Sequence, residues 1–94
     1  MITLQDVQAA RERIAPYLVR TPLLRVPALD EALGCQVYLK HEGFQPMGAF
    51  KLRGAMNKAL SLSAEERGRG LVCASSGNHA QGVAYAAHKL GCRA

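Results

Sequence analysis

Apolar residues recur at helical spacing in three stretches of the chain and crowd together without that spacing in two others. From Thr3 to Ala15, the residues Leu4, Val7, Ala10 and Ile14 line one side of a helix. Thr3 followed by Asp6 has the pattern of a capping pair at its start, and Pro16 ends it. Pro22 and Pro27 then punctuate an extended stretch that runs over a surface, and a short helical turn from Ala28 to Leu33 closes at Gly34. Gln36 to Lys40 has the composition of a strand. After a loop containing Gly43, Pro46 and Gly48, a second stripe appears at Leu52, Ala55, Met56, Ala59 and Leu60. Ser63-Ala64-Glu65-Glu66 opens a short helix that stops near Gly68 or Gly70. Leu71 to Ala74 reads as a buried strand, Ser75 to Asn78 as a turn, and Ala80, Val83, Ala84, Ala87 and Leu90 as the third stripe, stopped by Gly91.

Strands alternating with helices predict an α/β fold: an open, mostly parallel sheet with flanking helices. At 94 residues the chain holds one small domain at most. A chain of this size buries only about 60% of its unfolded surface. Gly91-Cys92-Arg93-Ala94 reads as a helix stop followed by the first residues of another strand, so residues 1–94 are expected to be the N-terminal part of a larger catalytic domain.

Charge changes this picture little. The net charge is +5, but the twelve Lys and Arg are scattered, with no basic run of five. The five aromatic residues are not interleaved with basic ones as base stacking requires, so no nucleic-acid partner is expected. Cys35, Cys73 and Cys92 form no C-x-x-C pair, and His41-Glu42 lacks the second histidine of H-E-x-x-H, so neither a disulfide framework nor a metal site is expected. No apolar run is long enough to span or enter a membrane. The expected setting is the cytoplasm.

Two places carry candidate chemistry, each where a predicted strand gives way to a helix, the position at which open α/β sheets bind ligands. In Gly48-Ala49-Phe50-Lys51-Leu52-Arg53-Gly54-Ala55, Lys51 falls beside the apolar stripe near the first turn of its helix. A partly desolvated lysine there is a nucleophile; the plainer alternative is a surface lysine with its stem along apolar neighbours. Gly54 within that helix suggests close packing. In Ser75-Ser76-Gly77-Asn78-His79-Ala80-Gln81-Gly82, successive backbone N–H groups at a helix N-terminus make a pocket for carboxylate or phosphate. The plainer alternative is an ordinary Ser or Asn cap.

Lys40-His41-Glu42-Gly43-Phe44-Gln45-Pro46-Met47-Gly48-Ala49-Phe50-Lys51-Leu52-Arg53-Gly54-Ala55 resembles the K-x-E-x-x-Q-x-x-G-S-F-K-x-R-G-A signature of threonine dehydratases and serine racemases, fold type II pyridoxal-phosphate enzymes. Ser75 to Gly82 is similar to the same family's substrate loop, and Arg20-Thr21-Pro22-Leu23 to its lead-in segment. Leu52 matches the dehydratase and racemase branch rather than the synthases, while Ala49 departs from the usual serine. Ser76, alanine in many dehydratases and serine in racemases, does not separate the two.

The resemblance implies pyridoxal 5'-phosphate as cofactor and an amino acid as substrate. It implies that Lys51 bonds the cofactor and serves as general base, and that Phe50 packs on its ring. It also implies that Asn78 hydrogen-bonds the ring oxygen. The turn of Ser75, Ser76, Gly77, Asn78 and His79 grips the substrate carboxylate, and Ser76 acts as acid or base on the opposite face. The implied reaction converts L-threonine to 2-oxobutyrate and ammonia, and L-serine to pyruvate and ammonia. The alternatives are a serine racemase, a dehydratase of another β-hydroxy amino acid such as 3-hydroxyaspartate, or, in a different class, a non-enzymatic phosphate- or nucleotide-binding module. The family's phosphate loop lies downstream of position 94, so the chain alone is expected to be inactive, and the full-length protein to be a homo-oligomer.

Overall fold

A computed structural model describes residues 1–94. The first helix, α1 (Leu4–Ile14), starts at the expected cap: the Asp6 amide donates to Thr3 Oγ1, and the Thr3 amide donates to Asp6 Oδ2 at 2.8 Å. The helix ends just before Pro16, which sits in a single 3-10 turn, Ala15–Tyr17, where its missing N–H leaves nothing unpaired. Two short strands, β1 (Leu23–Arg25) and β2 (Tyr38–Lys40), flank α2 (Pro27–Leu33), which ends at Gly34 in the left-handed conformation. Helices α3 (Lys51–Ser61), α4 (Ala64–Arg69) and α5 (Asn78–Leu90) complete the chain.

The sheet departs from the sequence-based expectation. It has two strands, paired antiparallel with Leu24 opposite Leu39, and the stretch between Pro22 and Pro27 supplies one of them. A strand of three residues fits between the prolines because neither ring has to donate within the ladder. Leu71 to Ala74 forms no ladder at all. A strand exists only against another backbone, and a single main-chain bond reaches this segment, from the Leu71 N–H to the Arg93 carbonyl at 2.8 Å. That bond joins the residues before α5 to those after it, which is the connection of a strand-helix-strand crossover.

The core is small and helical. Leu52 and Met56 of α3 are fully buried, with Ala55 and Ala59 also buried, and Met56 and Ala59 cluster with Ile14 of α1 and Ala86 of α5. α3 and α5 form the most extensive helix pair. The contact is close because α5 presents Gly82 to α3: a Cβ at that position would lie 3.2 Å from the Ala55 Cβ and 3.4 Å from the Lys51 carbonyl oxygen. Gly54, where close packing was expected, has open space around it. Both faces of the β1–β2 pair are exposed.

Candidate active site

The loop that leads into α3 is built by polar bonds rather than apolar burial. Residues Glu42–Phe44 make a 3-10 turn, and a bond from the Gly48 amide to the Gln45 carbonyl at 2.7 Å closes the turn that follows. Gly48 has φ 74°, a left-handed conformation that glycine adopts at no steric cost. Ala49, where the resembling signature has serine, is buried, and its methyl needs no hydrogen-bond partner there.

Glu42 is the hub of this loop. Its carboxylate accepts two bonds from Arg53, from Nε and Nη2, both 2.7 Å long, one from the Thr21 hydroxyl at 2.5 Å, and a longer one from Gln45 Nε2. Gln45 is itself buried and bonded to both the amide and the carbonyl of Val19, at 3.1 and 2.9 Å. The Arg53 hydrogen bonds, against an opposing desolvation and with help from Thr21, hold the Glu42 carboxyl at about 2. The same pair raises the Arg53 guanidinium above its ordinary value. Sequence reading assigned no roles to Thr21, Glu42, Gln45 or Arg53, although all four stood inside the quoted motifs. Their spacing announced two ends of a loop and not the closed network between them.

Lys51 is the first residue of α3, and Phe50 is its N-cap residue. The two side chains are exposed and touch each other, the amine 5.1 Å from the ring centroid. The desolvation expected around Lys51 is therefore not supplied by these residues. Of the two lysines in the motif, Lys51 is the one left unbonded. Lys40, the other lysine of the motif, is tied by its Nζ to the Thr21 carbonyl at 3.0 Å, whereas the Lys51 amine has no hydrogen bond and no ion pair.

At the start of α5, the chain bends at Ser76 and Gly77. The Ser75 hydroxyl accepts from the Gly77 amide at 3.2 Å, which closes the bend. The ordinary side-chain cap is not realised: the N-cap residue is Gly77, and no side chain bonds to the helix end. The amides of Asn78, His79 and Ala80 consequently have no acceptor within the protein, since the first bond in the helix runs from Gln81 to the Gly77 carbonyl. Ser76, Asn78 and His79 are all exposed. His79 also borders an apolar cavity of about 220 Å³ beneath Leu71 and Val83. Neither Lys51 nor Ser76 lines that cavity.

These two regions share one end of the helix pair. Gly82, against which the Lys51 carbonyl packs, is four residues after Asn78, which is about one helical turn. The α3–α5 contact thus sets the Lys51 backbone about one helical turn from the uncapped start of α5. This arrangement fits pyridoxal 5'-phosphate: an aldehyde needs an unpaired amine, and an anionic ligand needs N–H donors with positive helix-end charge.

Comparison with known proteins agrees. Residues 14–94 match the pyridoxal-phosphate dependent enzyme family. The chain is 50% identical over 91 residues to the L-threonine ammonia-lyase of Thermotoga maritima, covering 97% of this chain and 23% of that enzyme. It superposes on the crystal structure of T.th. threonine deaminase with TM-score 0.85 and 54% identity, over 98% of this chain and 32% of that one. On the serine racemase of Dictyostelium discoideum the TM-score is 0.91 with 41% identity, over 97% of this chain and 30% of the other. The chain spans roughly a quarter of the length of the curated relatives it matches, 28%, 23% and 21% of the first three. On motif, site geometry and likeness together, the chain belongs to the fold type II pyridoxal-phosphate-dependent enzymes.

Proposed function

We propose that these residues are the N-terminal part of a cytoplasmic, homo-oligomeric ammonia-lyase that acts on L-threonine and L-serine. The observation that carries the proposal is that Lys51, with its amine unbonded, heads α3 where its backbone packs on Gly82, one turn into the uncapped α5. Pyridoxal 5'-phosphate, when bound, acts as an electron sink for the carbanion left by removal of the substrate α-proton.

The chain's own residues do the rest. Lys51 would hold the cofactor through its amine and would receive the substrate α-proton on Nζ. The Asn78, His79 and Ala80 amides, with the bend at Ser75, Ser76 and Gly77, bind the substrate carboxylate. Phe50 would pack on the cofactor ring, and the Asn78 side chain would hydrogen-bond the ring oxygen. Loss of the β-hydroxyl as water followed by hydrolysis gives ammonia and 2-oxobutyrate from threonine, or ammonia and pyruvate from serine.

A second reading within the family, a serine racemase, is favoured by one observation. The Ser76 hydroxyl is exposed and unbonded on the bend, and in this reading it would exchange the proton opposite Lys51. Product analysis of the full-length enzyme separates the two. The lyase reading predicts stoichiometric ammonia and 2-oxo acid from threonine and serine, and accumulation of D-serine with little pyruvate contradicts it.

A further inference from the structure

The first turn of a helix is its least restrained part, because its N–H groups have no partners within the helix. Lys51 is the first residue of such a turn, and its amine has no hydrogen bond or ion pair, only the neighbouring Phe50 ring. Besides the burial of Leu52, two contacts from outside fix the turn. One is the packing of the Lys51 carbonyl against Gly82. The other is Arg53, two residues further along the same turn, gripped through both Nε and Nη2 by Glu42. Glu42 is in turn anchored to Thr21, and Gln45 to Val19, so the grip reaches back through the loop to the segment before β1. A bidentate pair fixes orientation as well as distance, which a lysine in place of Arg53 does not do.

We propose that Arg53, through its bidentate pair with Glu42, is a positioning residue that aims the Lys51 amine, and so sets the rate of proton transfer at Nζ rather than the binding of substrate. The proposal rests on the reading of Lys51 as the cofactor-bearing base. A mere structural brace would instead show up as lost stability, with the surviving folded enzyme working normally.

The test uses the full-length holoenzyme and the variants Arg53→Lys and Glu42→Gln, the second keeping its partner's guanidinium but removing the charge that grips it. For each folded variant, kcat and KM for threonine, the isotope effect with α-deuterated threonine, and the rate of borohydride labelling at Lys51 are measured. Misplacement of the amine predicts a fall in kcat on the order of tenfold to a hundredfold. It also predicts KM changed by less than about twofold, a larger isotope effect, and slower labelling at Lys51. Unchanged labelling and an unchanged isotope effect in folded Arg53→Lys and Glu42→Gln overturn the proposal while leaving the Lys51 reading intact. Absence of the label from Lys51 in the unsubstituted enzyme overturns both.

Discussion

Two glycines in the paired helices respond in opposite ways to an added methyl group. At Gly54 nothing lies within 4 Å of a new Cβ, so Gly54→Ala gains helix propensity of about 0.8–1 kcal/mol without a clash. At Gly82 the same gain is set against a Cβ 3.2 Å from that of Ala55, on a backbone that cannot turn away. Overpacking of this kind costs about 1–3 kcal/mol, so Gly82→Ala is expected to be net destabilising and to push Lys51 outward. Denaturant unfolding of the two variants in the full-length protein checks the signs: a rise in midpoint for Gly54→Ala and a fall for Gly82→Ala. Sequence reading favoured the wrong glycine for close packing. A lone glycine inside an apolar stripe gives no clue to what stands opposite, and Gly82 was noticed only as the end of a polar motif. The candidate residues themselves were legible, because Lys51 and Ser75 to His79 occupy long, ordered motifs. The hub at Glu42 was not, since its partners Thr21 and Arg53 lie 21 and 11 residues away along the chain.

The elements differ in how plainly the chain announces them. The α3 stripe was read correctly, with Leu52, Ala55, Met56 and Ala59 all buried, because polar residues on its other side leave one apolar face. α5 is alanine-rich on several faces, and the stripe read there, Ala80, Val83, Ala84, Ala87 and Leu90, is partly wrong: Ala84 is exposed, while Gly82 and Ala86 are buried beside Ala87. Leu71 to Ala74 has strand composition, but composition cannot provide the neighbouring backbone that makes a strand. The loop from Glu42 to Phe50 has its own prediction. The Glu42 carboxyl is lowered from 4.5 to about 2, so the folded loop is favoured above the ordinary value and loses this contribution as pH falls through about 2. The Val19 and Gln45 amide resonances should therefore hold their native positions well below pH 4.5 and shift with a midpoint near 2. A midpoint at the ordinary glutamate value contradicts the closed network. Glu42→Gln should abolish the transition.

Across the whole molecule, the apolar core is confined to the α1–α3–α5 contact, and only 11 of 94 residues are buried. Large apolar side chains remain outside it, Leu23 and Tyr38 on the β1–β2 pair and Val72 at 97% exposure. The alternation of strand and helix read from the sequence is the framework of the family's fold, and the antiparallel pairing of β1 with β2 was the part it did not reveal, because Pro22 and Pro27 disguised a strand as a loop. At one end of the helix pair the chain carries both proposed parts of the site, the first residue of α3 and the uncapped bend that opens α5. Reduction of the full-length holoenzyme with borohydride, followed by digestion and peptide mapping, tests that assignment most directly. The account predicts the reduced cofactor on the peptide containing Lys51; recovery of the label on Lys40 or Lys58, or on no lysine of this chain, contradicts it.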